Sequence, residues 1–201
     1  MKKKITLVVA LALVLVVGVF GTLAYLTDSQ SVTNTFTIGN VGITLAETEG
    51  GEDHQFKMIP GQTIRKDPVV TVDAGSEACW LFVKLDKAGS AVVGETNLSF
   101  DNYLTFEVDA SWTQLMDNNG NAVAGVYYRE QAAVAESTNP LPSYPVLKNN
   151  TVTVLNTVTN EMMTALTDTS AKLPTLTVTA YAIQKAGFET SPYGAWTEVS
   201  K

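Results

Sequence analysis

The chain contains few side chains that could carry out catalysis, and they lie far apart in the sequence. It has one histidine, His54, in the stretch EGGEDHQ, and one cysteine, Cys79, in EACWLFVKLD. A zinc peptidase of the H-E-x-x-H type needs two histidines on one helix face. A serine-type hydrolase needs a histidine between its nucleophile and a carboxylate. We therefore predict no catalytic residues and no cofactor, and we expect His54 to be a solvated loop residue.

The single cysteine predicts a structural role. Cys79 can form no disulfide within the chain, because it has no second cysteine to pair with. In an extended segment it would share one face with Leu81, Val83 and Leu85. We expect a small buried core side chain, since a reactive thiol would need a base nearby and the sequence offers little to supply one.

Two further patterns could bind a ligand, and each has a simpler explanation. DNNGN at 117–121 has its glycine too early for a calcium loop, and Asn119-Gly120 is a favoured hairpin pair. We therefore predict no metal site there. Several aromatic residues could form a glycan-binding platform, but they are scattered through alternating segments, so we expect them to pack in the core. These aromatic residues are Trp80, Trp112, Trp196, Tyr127 and Tyr128.

The N-terminus has the layout of a secretory signal peptide, in which positive, apolar and small residues follow one another. Residues 2–4 are lysines, residues 5–20 carry no charge, and small residues follow. We predict a signal peptide at 1–24, with cleavage between Ala24 and Tyr25. The alternative, a membrane-spanning helix, needs about 20 apolar residues, so we expect membrane contact only through the uncleaved signal.

Charge and length limit the classes of function. The net charge is −7, and loss of the three signal lysines makes the mature chain more acidic still. Such a surface repels phosphate backbones, so we predict no nucleic-acid partner. The mature chain, 25–201, is long enough to form one domain with its own core, and no linker divides it.

The order of elements predicts an all-β fold. Alternation in SVTNTFTIG and LPTLTVTAYAIQ, a strand at Val69–Val72 and a central strand at 77–86 favour antiparallel sheets. The Pro-rich STNPLPSYP is expected to be a connecting loop, and TNEMMTALT one short helix with Thr159 as its N-cap. Many short strands with turns between them predict a two-sheet β-sandwich.

Three stretches resemble the TasA/camelysin family of Gram-positive exported proteins. They are AYLTDSQSVTNTFTIGNVGITLAE after the apolar run, MIPGQTIRKDPVVTVDAGSEACWLFVKL, and LPTLTVTAYAIQKAGFETSPYGAW. The resemblance implies processing by a SipW-type signal peptidase, a jelly-roll-like antiparallel β-sandwich with one short helix, and assembly into fibres of the extracellular biofilm matrix.

In TasA-type fibres the mature N-terminal segment inserts as an extra strand into the next subunit. The resemblance therefore implies that residues 25–40, here called the donor segment, pair with another copy or with a homologous matrix protein. On this hypothesis the assembly anchors are Tyr25, Leu26, Val32 and Phe36, while Thr33, Thr35 and Thr37 face outward. The alternative is that residues 32–38 form the first strand of their own sandwich.

Two other functions stay open at this stage. Camelysin is assigned as a metal-dependent peptidase in the same family, but this chain offers only carboxylates and His54 as ligands. A surface adhesin or glycan-binding module is favoured only by the fold and the aromatic residues. We predict a secreted structural protein of the matrix or cell surface that is not an enzyme.

Overall fold

The computed structural model describes residues 40–47 and 58–201. Within them the chain forms strands that all pair antiparallel. The strands are β1 (Ile43–Ala46), β2 (Thr63–Arg65), β3 (Val69–Val72), β4 (Cys79–Val93), β5 (Thr96–Ser99), β6 (Leu104–Thr105), β7 (Thr113–Met116), β8 (Ala122–Gln131), β9 (Ser143–Pro145), β10 (Thr151–Val154) and β11 (Lys172–Gln184).

The strands form two short sheets and one long sheet. The short sheets have the orders β1-β3-β9 and β2-β10-β6, and the long sheet has the order β11-β4-β8-β7, with β5 also paired to β4. The helices are α1 (Phe100–Tyr103), α2 (Asn160–Ala165) and α3 (Pro192–Val199), beside a 3-10 turn at Lys148–Asn150. The prediction of an all-β antiparallel sandwich with little helix is confirmed.

The main core lies between the long sheet and the short sheets. Val70 and Val72 of β3, with Val152 and Val154 of β10, pack in one apolar cluster with the odd-numbered face of β4. Burial of each such side chain contributes about 1.5–3 kcal/mol. This β4 face consists of Cys79, Leu81, Val83 and Leu85, so the predicted core position of Cys79 is confirmed.

A second apolar cluster covers the other face of β4. Trp80 and Phe82 pack there with Ala195 and Trp196 of α3, and the Trp196 ring lies 5.5 Å from that of Phe82. β4 is therefore buried on both faces over its first part, as the prediction for 77–86 requires.

The sequence analysis did not predict α3, although its start has a recognisable signal. Ser191 is the N-cap and accepts a hydrogen bond from the Gly194 N–H at 3.0 Å, and Pro192 occupies the first turn. Its apolar residues are few, so periodicity alone did not separate it from a loop.

Several local predictions are confirmed. Gly61 has φ +79° in the turn after Pro60, where the Gln62 N–H donates to the Ile59 carbonyl at 2.9 Å. The Thr159 hydroxyl accepts from the Met162 N–H at 3.2 Å at the start of α2.

Two local predictions need correction. The 117–121 hairpin is present, but its turn is closed by the Gly120 N–H to the Asp117 carbonyl at 3.0 Å, and only Gly120 has positive φ. It is therefore not the two-residue Asn119-Gly120 turn. The STNPLPSYP stretch is not loop throughout, because Ser143–Pro145 forms β9 at a sheet edge, where a proline is tolerated.

Candidate functional site: the open edge of β11

The predicted N-terminal site lies outside the described residues. This applies to the cleavage position and to all four donor anchors, as well as to the sole histidine. The residues concerned are Ala24, Tyr25, Leu26, Val32, Phe36 and His54. What the structure describes is the domain that a donor segment would have to bind.

β11 lies at one end of the long sheet, and within the described residues it pairs with β4 on one side and with no strand on the other. Gln184 is opposite Cys79, and the Lys185 N–H donates to the Ala78 carbonyl at 2.8 Å. Main-chain groups alternate in direction along an antiparallel strand. The N–H and C=O groups that point away from β4 therefore belong to Leu176, Val178, Ala180, Ala182 and Gln184. We call these groups the β11 edge.

The β11 edge lacks the usual devices that prevent pairing with another chain. Natural edge strands are short, bulged, or carry charges and prolines. β11 is 13 residues long, and Leu173 to Gln184 includes no charged residue. Its proline, Pro174, lies near the start, where the register with β4 shifts between Lys172 and Thr175. From Thr175 onward the edge is regular and uncharged.

The edge strands on the opposite side of the sandwich, β7 and β9, have features that prevent pairing with another chain. β7 has four residues and a register shift against β8, where the Gln114 amide donates to the carbonyls of Val123 and Val126 at 2.8 and 2.9 Å. β9 has three residues and follows Pro140 and Pro142. Strand addition is thus impeded on that side and left open at β11.

Side chains beside the β11 edge belong to the core but are incompletely covered. Leu176, Val178, Ala180 and Ala182 pack against the main cluster, yet each remains only partly buried. β1 also lies next to β11, and its Leu45 is 37% exposed. An added strand at this edge would cover apolar surface as well as bind main-chain groups.

Packing on the outer face keeps β11 in place. The Tyr181 ring meets the Trp196 ring edge-on at 5.2 Å, and the Trp80 indole N–H donates to the Phe188 carbonyl at 2.9 Å. Lys185 forms an ion pair with Glu130 of β8. The α3 region thus packs against the outer face of β11 and leaves the β11 edge unpaired within the described residues.

The chain enters the described domain at the end of the sandwich where β11 ends. The Asn40 carbonyl accepts a hydrogen bond from the Glu77 N–H at 2.8 Å. The Gly42 N–H then donates to the buried Ser76 hydroxyl at 3.2 Å. A Cβ at Gly42 would lie 2.5 Å from an Asp73 carboxylate oxygen, so this entry point is closely packed.

The tryptophans do not form an exposed platform. Trp80, Trp112 and Trp196 are 6–8% exposed, and the Trp112 indole N–H donates to the Pro145 carbonyl at 2.8 Å. The expectation that they pack in the core is confirmed. The neighbouring tyrosines, Tyr127 and Tyr128, are half-buried.

The 117–121 loop uses its own carboxylate internally. Asp117 accepts hydrogen bonds from the N–H groups of Asn119 and Asn121, each at 2.8 Å. These bonds, chiefly those from Asn121, lower the pKa of the Asp117 carboxyl. Across residues 40–47 and 58–201, no group of three or more His, Cys, Asp or Glu side chains is arranged to hold a metal ion.

No helix among the described residues is both long and apolar enough to cross a membrane. Comparison with known proteins finds no family model that matches the chain, no similar curated protein and no similar solved structure.

Proposed function

We propose that this chain is a secreted structural protein of extracellular matrix fibres, as a main or accessory subunit. Assembly occurs when the donor segment of one copy pairs with the β11 edge of the next copy or of a homologous protein. The observation that carries the proposal is the long, uncharged β11 edge, whose main-chain groups pair with no strand within the described residues.

The free energies of strand addition indicate which residues of the donor segment contribute most to binding. Each main-chain hydrogen bond contributes about 0.5–1.5 kcal/mol net, while ordering each donor residue costs about 1–2 kcal/mol. Hydrogen bonds therefore do not suffice alone. Burial of an anchor such as Val32 or Phe36 against the half-covered β11 side chains supplies roughly 1.5–3 kcal/mol more each.

The geometry of this exchange favours a filament. The donor segment and the β11 edge are different surfaces, so the contact is head-to-tail and adds subunits until a rotation happens to close a ring. The sequence resemblance to the TasA/camelysin family and the predicted signal peptide support the same proposal. A SipW-type signal peptidase would release Tyr25 as the first residue of the donor segment.

Complementary variants of the mature chain, 25–201, test this exchange. A donor variant carries Val32→Asp and Phe36→Asp and retains the β11 edge. An acceptor variant carries Ala180→Pro, which removes one outward N–H without touching the bonds to β4. We expect neither variant to form filaments alone, and their mixture to form a one-to-one dimer in size-exclusion chromatography with light scattering.

Ala180→Ser is the matched control, since it keeps the N–H and should still form filaments. Filaments from either variant alone, or a mixture that stays monomeric, would contradict the proposed exchange.

A further inference from the structure

We infer that Asn119 is a site of spontaneous covalent modification, at which its side-chain amide converts to a carboxylate through a cyclic imide formed with Gly120. The site lies in the loop DNNGN at 117–121, which connects β7 and β8. This loop takes no part in the proposed assembly site, so the inference is independent of the proposed function.

The reaction needs no enzyme and no co-reactant other than water. The Gly120 main-chain nitrogen gives up its proton to solvent base and attacks the side-chain carbonyl carbon of Asn119, which closes a five-membered imide ring. The side-chain nitrogen leaves as ammonia. Water then opens the ring at either of its two carbonyl groups, and the product is aspartate or isoaspartate with one new negative charge. No atom is oxidised or reduced, and asparagine is among the thermolabile residues for this reason.

Gly120 leaves the attacking nitrogen unobstructed. Residues 118–120 are exposed, and a Cβ built on Gly120 would have no atom within 4 Å of it. Gly120 also has φ +81°, a conformation that glycine adopts without strain. Neither a side chain at position 120 nor a neighbouring element therefore crowds the nitrogen or keeps water from the ring.

The same loop contains two asparagines that lack this arrangement. Asn118 is followed by Asn119, and Asn121 is followed by Ala122, so a Cβ lies beside the attacking nitrogen in both cases. The Asn121 side-chain amide also donates to the Asp117 carboxylate at 3.1 Å. All three asparagines are exposed. Exposure therefore does not distinguish them, whereas the residue that follows each one does.

Asp117 slows the reaction without preventing it. Its carbonyl accepts a hydrogen bond from the Gly120 N–H at 3.0 Å, which holds the proton that must leave. Its carboxylate accepts from the N–H groups of Asn119 and Asn121, each at 2.8 Å, and fixes the turn. The negative charge of this carboxylate also disfavours a second anion at the nearby nitrogen. Asp117 is thus a positioning residue that lowers the rate of ring closure.

Timed incubation of the mature chain, 25–201, in heavy-oxygen water at mildly alkaline pH tests the inference. Mass spectrometry of peptides measures conversion at each asparagine of the loop, with fragmentation that distinguishes isoaspartate from aspartate. We expect Asn119 to convert about tenfold faster or more than Asn118 or Asn121, since only its successor lacks a Cβ. We expect isoaspartate among the products, with one solvent oxygen in each converted residue.

Two variants separate ring closure from other routes. Asn119→Gln keeps an exposed amide but would need a six-membered ring, so we expect its conversion to be nearly abolished. Asp117→Ala removes the carboxylate, and we expect Asn119 to convert roughly threefold faster or more in this variant.

Conversion of Asn119 no faster than that of Asn118 and Asn121, or aspartate without isoaspartate, would overturn the inference. Equal conversion in Asn119→Gln and in the natural chain would also overturn it, because water would then attack the amide directly. An unchanged rate in Asp117→Ala would overturn the protective role of Asp117.

Discussion

Burial of the Cys79 thiol in the main core raises its pKa from 9.0 to about 11. Because the pKa in the folded state exceeds that in the unfolded state, this group's contribution to stability is complete below pH 9 and is lost as the pH rises toward 11. We expect the free energy of unfolding to fall by roughly 2 kcal/mol more between pH 8 and 10.5 in the natural chain than in Cys79→Ala.

Urea denaturation at the two pH values measures this difference. The smaller alanine side chain lowers the free energy of unfolding by the same amount at both pH values. Comparing the change in that free energy between the two pH values therefore removes this cost. Identical pH dependence in both proteins would show that the thiol ionises as freely in the folded state as in the unfolded chain.

Trp196 is the residue through which α3 attaches to the long sheet. It is 8% exposed and contacts the rings of Phe82 and Tyr181. We expect Trp196→Ala to lower the free energy of unfolding by about 3–5 kcal/mol, because it removes a large buried side chain and leaves a cavity. Glu198→Gln on the same helix is the control, since its exposed ion pair with Lys201 contributes little. Equal effects of the two changes in chemical denaturation would contradict the anchoring role.

At the scale of elements, alternation in the sequence predicted which residues share a face. The two faces of β4 and the Leu176-to-Ala182 face of β11 lie where the pattern placed them. The pattern could not identify α3, whose start depends on the Ser191 cap, nor β9, whose prolines are typical of a loop. β9 depends on its pairing with β3, which local sequence does not encode, whereas α3 has a local signal in its cap that apolar periodicity does not detect.

The direction of main-chain groups along β11 allows a paired test of the edge. The Thr179 N–H points toward β4, and the Ala180 N–H points away from it, as the Lys185 hydrogen bond and the register require. We expect Thr179→Pro to lower the free energy of unfolding by about 3 kcal/mol or more, through the lost ladder bond and the clash of the ring. Ala180→Pro should cost about 1 kcal/mol or less.

Thermal or urea unfolding of the two variants gives the comparison. If both prolines were equally damaging, the Ala180 N–H would have a partner that the strand order does not provide, and β11 would not be an open edge.

At the scale of the whole molecule, the proposed assembly site has two parts, the donor segment and the β11 edge. The sequence suggests the first part but not the second. Apolar alternation after the signal predicted only a strand at 32–38, and the role of donor segment was implied by the family resemblance alone. The β11 edge was not predicted, because alternation indicates the faces of a strand but not which strands lie beside it. Only the sheet order reveals that β11 is terminal and that β7 and β9 are protected.

The central claim is that strand exchange through the N-terminal segment builds a fibre from an otherwise complete β-sandwich. The most direct test compares the mature chain, Tyr25–Lys201, with a form that begins at Val41, by electron microscopy and circular dichroism. We predict filaments from the first and β-rich monomers without filaments from the second. Folded protein from both with no filaments from the mature chain, or filaments from both, would contradict it.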